Sequence, residues 1–179
     1  MKDVKAAITT PIHEWQGPSW NCFYHAVFNR RPVSLITARG HSPSVIKKGI
    51  KELVRAGHLP WEPNYLDIIP VSHPKIRGKL IKEGADDISS LKRVAIQKVF
   101  ARAIRKYGRS EYHRFGFSDD DPKNIKIIKE ELTRLKRENP SMGFFIISTV
   151  GGSMKKDEVH LDGHIETVSM TDLQQKLFD

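Results

Sequence analysis

Apolar residues along this chain fall into two alternating rhythms. Short runs rich in β-branched or aromatic residues occupy 32–37, 65–71, 114–118 and 144–148, each bounded by turn-forming residues. Runs of that length and composition predict buried strands. Between them, apolar positions recur every three or four residues, the spacing of one helix face. This predicts a helix over 21–28, with Phe23, Tyr24 and Val27 on one side, and another over 45–56, with Val45, Ile46, Ile50, Leu53 and Val54. A third starts at Ser89 or Ser90 and runs to about 106, carrying Leu91, Val94, Ala95, Val99, Ala103 and Ile104 inward. A fourth covers 124–137, with Ile125, Ile128, Leu132 and Leu135 in one stripe. The boundaries carry matching signals: Ser19 and Ser42-Pro43 at starts, Gly57 and Gly108 at ends, Pro122 at an opening.

The remaining stretches are irregular by the same criteria. Residues 1–20 hold Thr9-Thr10-Pro11 and Gly17-Pro18, with Trp15 and Trp20 as large apolar anchors. Residues 72–88 hold His73-Pro74, Gly78 and Gly84, which predicts a loop or small insert. Gly151-Gly152 predicts a turn, and 171–178 a short terminal helix. Strands alternating with helices predict βαβ units on a mostly parallel sheet, an α/β Rossmann-like fold in one domain over 1–179.

Composition narrows the partners. With 179 residues, 39% hydrophobic, the chain has material for a real core. Thirty Lys and Arg against 21 Asp and Glu give a net charge of +9, which favours phosphate esters, nucleic acid or acidic surfaces. The plainer reading of that charge is a basic solvated surface. Cys22 is the single cysteine, so no intramolecular disulfide forms. No apolar run is long enough to cross a bilayer, and Lys2 and Lys5 precede no signal-peptide core, so a cytoplasmic protein without a membrane partner is expected.

In open α/β sheets, ligands sit beyond the carboxyl ends of strands. Thr37 lies at such an end, followed by Ala38-Arg39-Gly40 and a helix start. A hydroxyl there, backed by backbone N–H groups, can hold a phosphoryl oxygen, or it can simply cap a turn. Asp119-Asp120-Asp121 follows another strand. Three adjacent carboxylates repel one another unless they share a cation such as Mg²⁺. The alternative is an acidic helix cap favoured by the macrodipole. Lys92, in the first turn of its helix, could neutralise a phosphoryl group as a point charge, with Lys98 a weaker candidate. His41 lies beside the Thr37 turn.

Together these features resemble the haloacid dehalogenase superfamily over about residues 30–150. Ser34-Leu35-Ile36-Thr37-Ala38-Arg39-Gly40 is similar to its second motif, Lys92 to its third, and Gly116 through Asn124 to its fourth. The resemblance implies a phosphohydrolase with a minimal cap, an open site and a phosphorylated substrate. Thr37, with Ala38 and Arg39, would orient the phosphoryl group and Lys92 would neutralise it. Asp119 would bind Mg²⁺, assisted by Asp120 or Asp121. The family's nucleophile is an aspartate in an Asp-x-Asp pair ending the first strand, with the second Asp as general acid and base. This chain shows no such pair: Asp3 follows no apolar strand, and Lys5 stands where the second Asp belongs. Residues 1–20 are similar instead to the flap after that strand. The chain is therefore expected to be either part of a longer protein or a degenerate member, the former favoured because an acidic cluster has little use without metal chemistry. Loss of that strand would also expose the edges of its neighbours. As given, the chain is expected to be a poor phosphatase.

Two other readings compete. Lys92, Arg93, Lys98, Arg102, Arg105, Lys106 and Arg109, with Tyr107 and Tyr112, could contact nucleic acid or form a solvated helix face. Among the eight histidines only His160 and His164 are four apart, and Asp162-Gly163 breaks any helix between them, which points to surface or capping roles rather than a metal site.

Overall fold

The computed structural model describes residues 8–85 and 87–168, and the fold is α/β. The chain divides into two compact units, residues 1–106 and 107–179.

The first unit runs α1 (Trp20–Phe28), β1 (Pro32–Thr37), α2 (Pro43–Arg55), β2 (Asn64–Pro70), α3 (Pro74–Ile81) and α4 (Ile88–Tyr107), the last ending at the boundary. β1 and β2 pair in parallel, from Pro32 opposite Asn64 to Thr37 opposite Pro70, with a bulge at Val33/Ser34. Parallel strands cannot be joined by a tight turn, so α2 makes the return. Its start is fixed as the sequence indicates: Ser42 Oγ accepts from Val45 N, and Pro43 needs no partner for a missing N–H. Val27, Val33, Leu53, Ile68, Ile69, Val71 and Leu80 are buried, as is the inner face of α4 from Leu91 to Ala103. Each large aliphatic side chain among them contributes roughly 1.5–3 kcal/mol of burial energy.

Two boundaries depart from expectation for identifiable reasons. Residues 72–88 are not all loop, because Pro74 pre-sets the first turn of α3 and Leu80 is only 1% exposed. Burying that leucine outweighs the roughly 1 kcal/mol that an internal Gly78 costs. The cap of α4 is neither Ser89 nor Ser90. Asp87 Oδ1 accepts from Ser90 N at 2.6 Å while Ser90 Oγ accepts from Asp87 N at 2.9 Å, a reciprocal capping box. The Ser90 N–H, then its hydroxyl, holds the Asp87 carboxyl below the usual carboxylate range.

The second unit holds β3 (Arg114–Asp119), α5 (Pro122–Glu138), β4 (Gly143–Ser148), β5 (Lys155–Val159) and β6 (Ile165–Thr167). β3 and β4 are parallel, while β5 and β6 add antiparallel strands in the order β3-β4-β5-β6. In place of one mostly parallel sheet there are thus two, the second of them mixed. β5 escaped the pattern because Lys155-Lys156-Asp157-Glu158-Val159 has only one apolar residue, and it is β4 that recruits it. The α5 stripe of Ile128, Leu132 and Leu135 is buried, and so are Phe144 and Ile146 of β4. Gly143 opens β4 opposite Arg114, whose Cδ would lie 2.4 Å from a Cβ at that position. The Arg114 guanidinium donates instead to the carbonyls of Glu111 and His113. The terminal helix expected over 171–178 lies outside the described residues. Among the described residues no helix is long and apolar enough to cross a membrane.

Candidate functional site

Each unit places one of the expected chemical groups at the carboxyl end of a parallel strand. In the first, Thr37 ends β1, and its carbonyl accepts from Val71 N at 2.8 Å, tying it to the end of β2. Its hydroxyl accepts from Arg39 N at 3.2 Å. The amide expected to face a phosphoryl group is thus engaged by the Thr37 side chain, which shapes the turn before α2. Ala38, Arg39 and His41 are exposed there.

Lys92 is the fifth residue of α4, past the expected first turn because the helix starts at Ile88, and at 9% exposed it is the only Lys or Arg among the described residues that is buried. Lysine is almost never buried without a partner for its charge. The sequence carried a signal for this: Lys92 precedes Ala95, Ile96 and Val99 by three, four and seven positions, inside the apolar stripe rather than opposite it.

In the second unit the three aspartates take different positions. Asp119 ends β3, and its Oδ1 accepts from Asp121 N and from Asn124 Nδ2, both at 3.0 Å. Asp121 caps α5, accepting from Lys123 N at 2.8 Å, and Asp120 is exposed. Asn124 is 8% exposed, so it fixes the carboxylate from a buried position on α5. Thr149, just past β4, donates its N–H at 3.1 Å and its hydroxyl at 3.3 Å to the Asp119 carbonyl. Neither Asn124 nor Thr149 was foreseen as part of the site. A buried polar residue following the most apolar strand was the available signal for Thr149. Among the described residues no three His, Cys, Asp or Glu side chains gather as a metal cluster.

The basic segment along α4 is not one cationic face. Lys92 is buried, Lys98 pairs with Glu83, and Arg102 pairs with Asp67 at 2.9 Å. Arg109, beyond the helix, donates to Asn139. Tyr107 and Tyr112 remain exposed. His160 and His164 flank the β5–β6 turn with rings 5.9 Å apart, and His160 Nε2 lies 3.3 Å from Glu166. With Lys136, Leu161 and Asp162 they line a shallow recess.

Against known proteins, no family model, no curated protein and no solved structure matches this chain.

Proposed function

We propose that this chain is a haloacid-dehalogenase-like, Mg²⁺-dependent phosphohydrolase of phosphate esters, with no Asp-x-Asp pair ahead of Thr37. The observation that carries this reading is Lys92. Among the described Lys and Arg residues, the one singled out by motif order is the one that is buried. In the first unit Thr37 and Lys92 serve the phosphoryl group, the hydroxyl orienting it and the ammonium balancing its charge. In the second, Asp119 is the carboxylate that would hold Mg²⁺. That ion takes one or two carboxylates and fills its remaining positions with waters and phosphate oxygens, so one fixed strand-end Asp fits it without a larger cluster. When bound, Mg²⁺ would supply a positive charge to which phosphate oxygens can bind. Asn124 holds the carboxylate in one orientation.

The first sheet can take a further strand. β1 and β2 form a two-stranded parallel pair, and β1 pairs with β2 alone among the described strands. Parallel pairs of this kind are ordinarily parts of larger sheets, and an apolar edge strand is a template for another.

Calorimetric titration of the chain with phosphate, with and without Mg²⁺, tests the reading. Phosphate binding that weakens at least tenfold in Lys92→Ala and Mg²⁺ binding that is lost in Asp119→Asn are expected, with p-nitrophenyl phosphate turnover at background. Supplying an apolar strand ending in Asp-x-Asp is expected to raise turnover. Wild-type phosphate binding by Lys92→Ala would refute the role of Lys92. Turnover of about 1 s⁻¹ or more by the chain alone would refute the missing nucleophile.

A further inference from the structure

Three aromatic rings of the first unit lie nearly parallel in a row. Tyr24 and Phe28 of α1 have centroids 6.4 Å apart with planes 17° apart, and Phe28 and Trp61 are 5.7 Å and 23° apart. These separations are at the offset end of aromatic stacking, so the rings are slipped sideways and cover one another only in part. The indole N–H of Trp61 donates to the Val27 carbonyl, which fixes the end of the row. Phe28, in the middle, is 51% exposed.

A cation closes the row. The Arg30 guanidinium lies 3.9 Å from the Trp61 ring centroid. Its backbone is unusual: α1 ends with Arg31 N bonded to Ala26 O and Arg30 N bonded to Val27 O, a Schellman arrangement with Arg30 in its left-handed position. Glycine is the ordinary occupant there, yet Arg30 holds φ 56° and is the only non-glycine residue with positive φ in the chain's described part. Asn64 Nδ2 donates to the Arg30 carbonyl at 3.0 Å and holds the turn from β2. Arg31 is exposed next to it, and Glu62, which follows Trp61, is paired with Lys51 at 3.2 Å.

A purely apolar protein partner would leave the two arginines without a counter-charge. Flat π faces interleaved with arginines complement a polymer that alternates bases with phosphates. We infer that this row is a binding site for single-stranded nucleic acid: a base stacks on the part of the Phe28 ring that its slipped neighbours leave exposed, and Arg30 and Arg31 take the flanking phosphates. The inference is independent of the phosphohydrolase reading, since it uses none of Thr37, Lys92 or Asp119.

Fluorescence anisotropy of labelled (dT)12 with the full chain tests it, beside an abasic oligomer of equal length and charge. Micromolar binding of (dT)12 is expected, with the abasic oligomer at least tenfold weaker. Phe28→Ala is expected to weaken (dT)12 binding about tenfold. Arg30→Gly places glycine where the backbone suits it, so the fold is kept while the salt slope of binding falls by about one. Equal affinity for the abasic oligomer would overturn the inference by assigning binding to charge alone. So would unchanged (dT)12 affinity in a folded Arg30→Gly protein, or no binding of (dT)12 at all.

Discussion

Thr37 and Asp119 end two strands that begin alike and finish differently. Both strands are six residues long, each pairs in parallel with its neighbour, and each leads to a helix opening with a capped proline. Between β1 and α2 the chain has residues 38–42 to complete the turn, and the Thr37 hydroxyl helps shape it by accepting from Arg39 N. Between β3 and α5 there are only residues 120–121, so the helix start is drawn up to the strand end. Asn124, one turn into α5, then reaches back to Asp119. A short connection turns a strand-end side chain into a fixed one, while a longer one leaves it tied to its own turn. If Asp119 holds Mg²⁺ as proposed, fixing would settle the carboxylate's orientation before the cation arrives.

Removing the reach-back should have the largest effect. Asn124→Ala deletes a hydrogen bond to a charged group from a buried residue and is expected to cost about 1.5–3 kcal/mol in urea unfolding. An Asp119→Asn, Asn124→Ala double-mutant cycle should show coupling between the two; additive costs would break the comparison. The caps come next. Asp121→Ala is expected to cost about 1 kcal/mol, whereas Ser42→Ala, whose bond to Val45 N is long at 3.4 Å, should cost only a few tenths of a kcal/mol. Equal losses would mean that the two helix starts are equivalent after all.

The smallest effect at neutral pH is expected at Tyr65 on β2. Burial, with a contribution from Glu62, pushes its hydroxyl from 10.0 up to about 12. The unfolded chain releases this proton near its ordinary value and the folded chain later. The contribution to stability is therefore intact below pH 10 and lost as the pH rises towards 12. Tyr65→Phe removes a hydroxyl that has no hydrogen-bond partner among the described residues, so stability at pH 7 should hold within about 0.5 kcal/mol and the alkaline loss should shrink. Unfolding measured at pH 7 and pH 11 in both proteins reads the difference.

Sequence patterning made the strands β1 to β4 and the main helices legible because each buries a face of regular period. It missed β5 and β6, whose residues are mostly charged and which join the sheet through backbone pairing, β5 to β4 and β6 to β5, rather than through their own apolar content. It misassigned α3 because proline and glycine dominate local propensity there, while the burial of Leu80 is a tertiary fact. The ends of β1 and β3 could be read from a polar residue following an apolar run. The separation of Asp119, Asp120 and Asp121 could not, since three identical neighbours differ only in where the backbone points them.

Gly143 and Arg114 occupy one volume between them. Any side chain at 143 would evict the guanidinium that now closes over the carbonyls of Glu111 and His113, undoing the turn that launches β3. The two positions therefore form one heritable unit. A lineage that replaces Gly143 must already carry a shorter residue at 114 and another way to tie that turn.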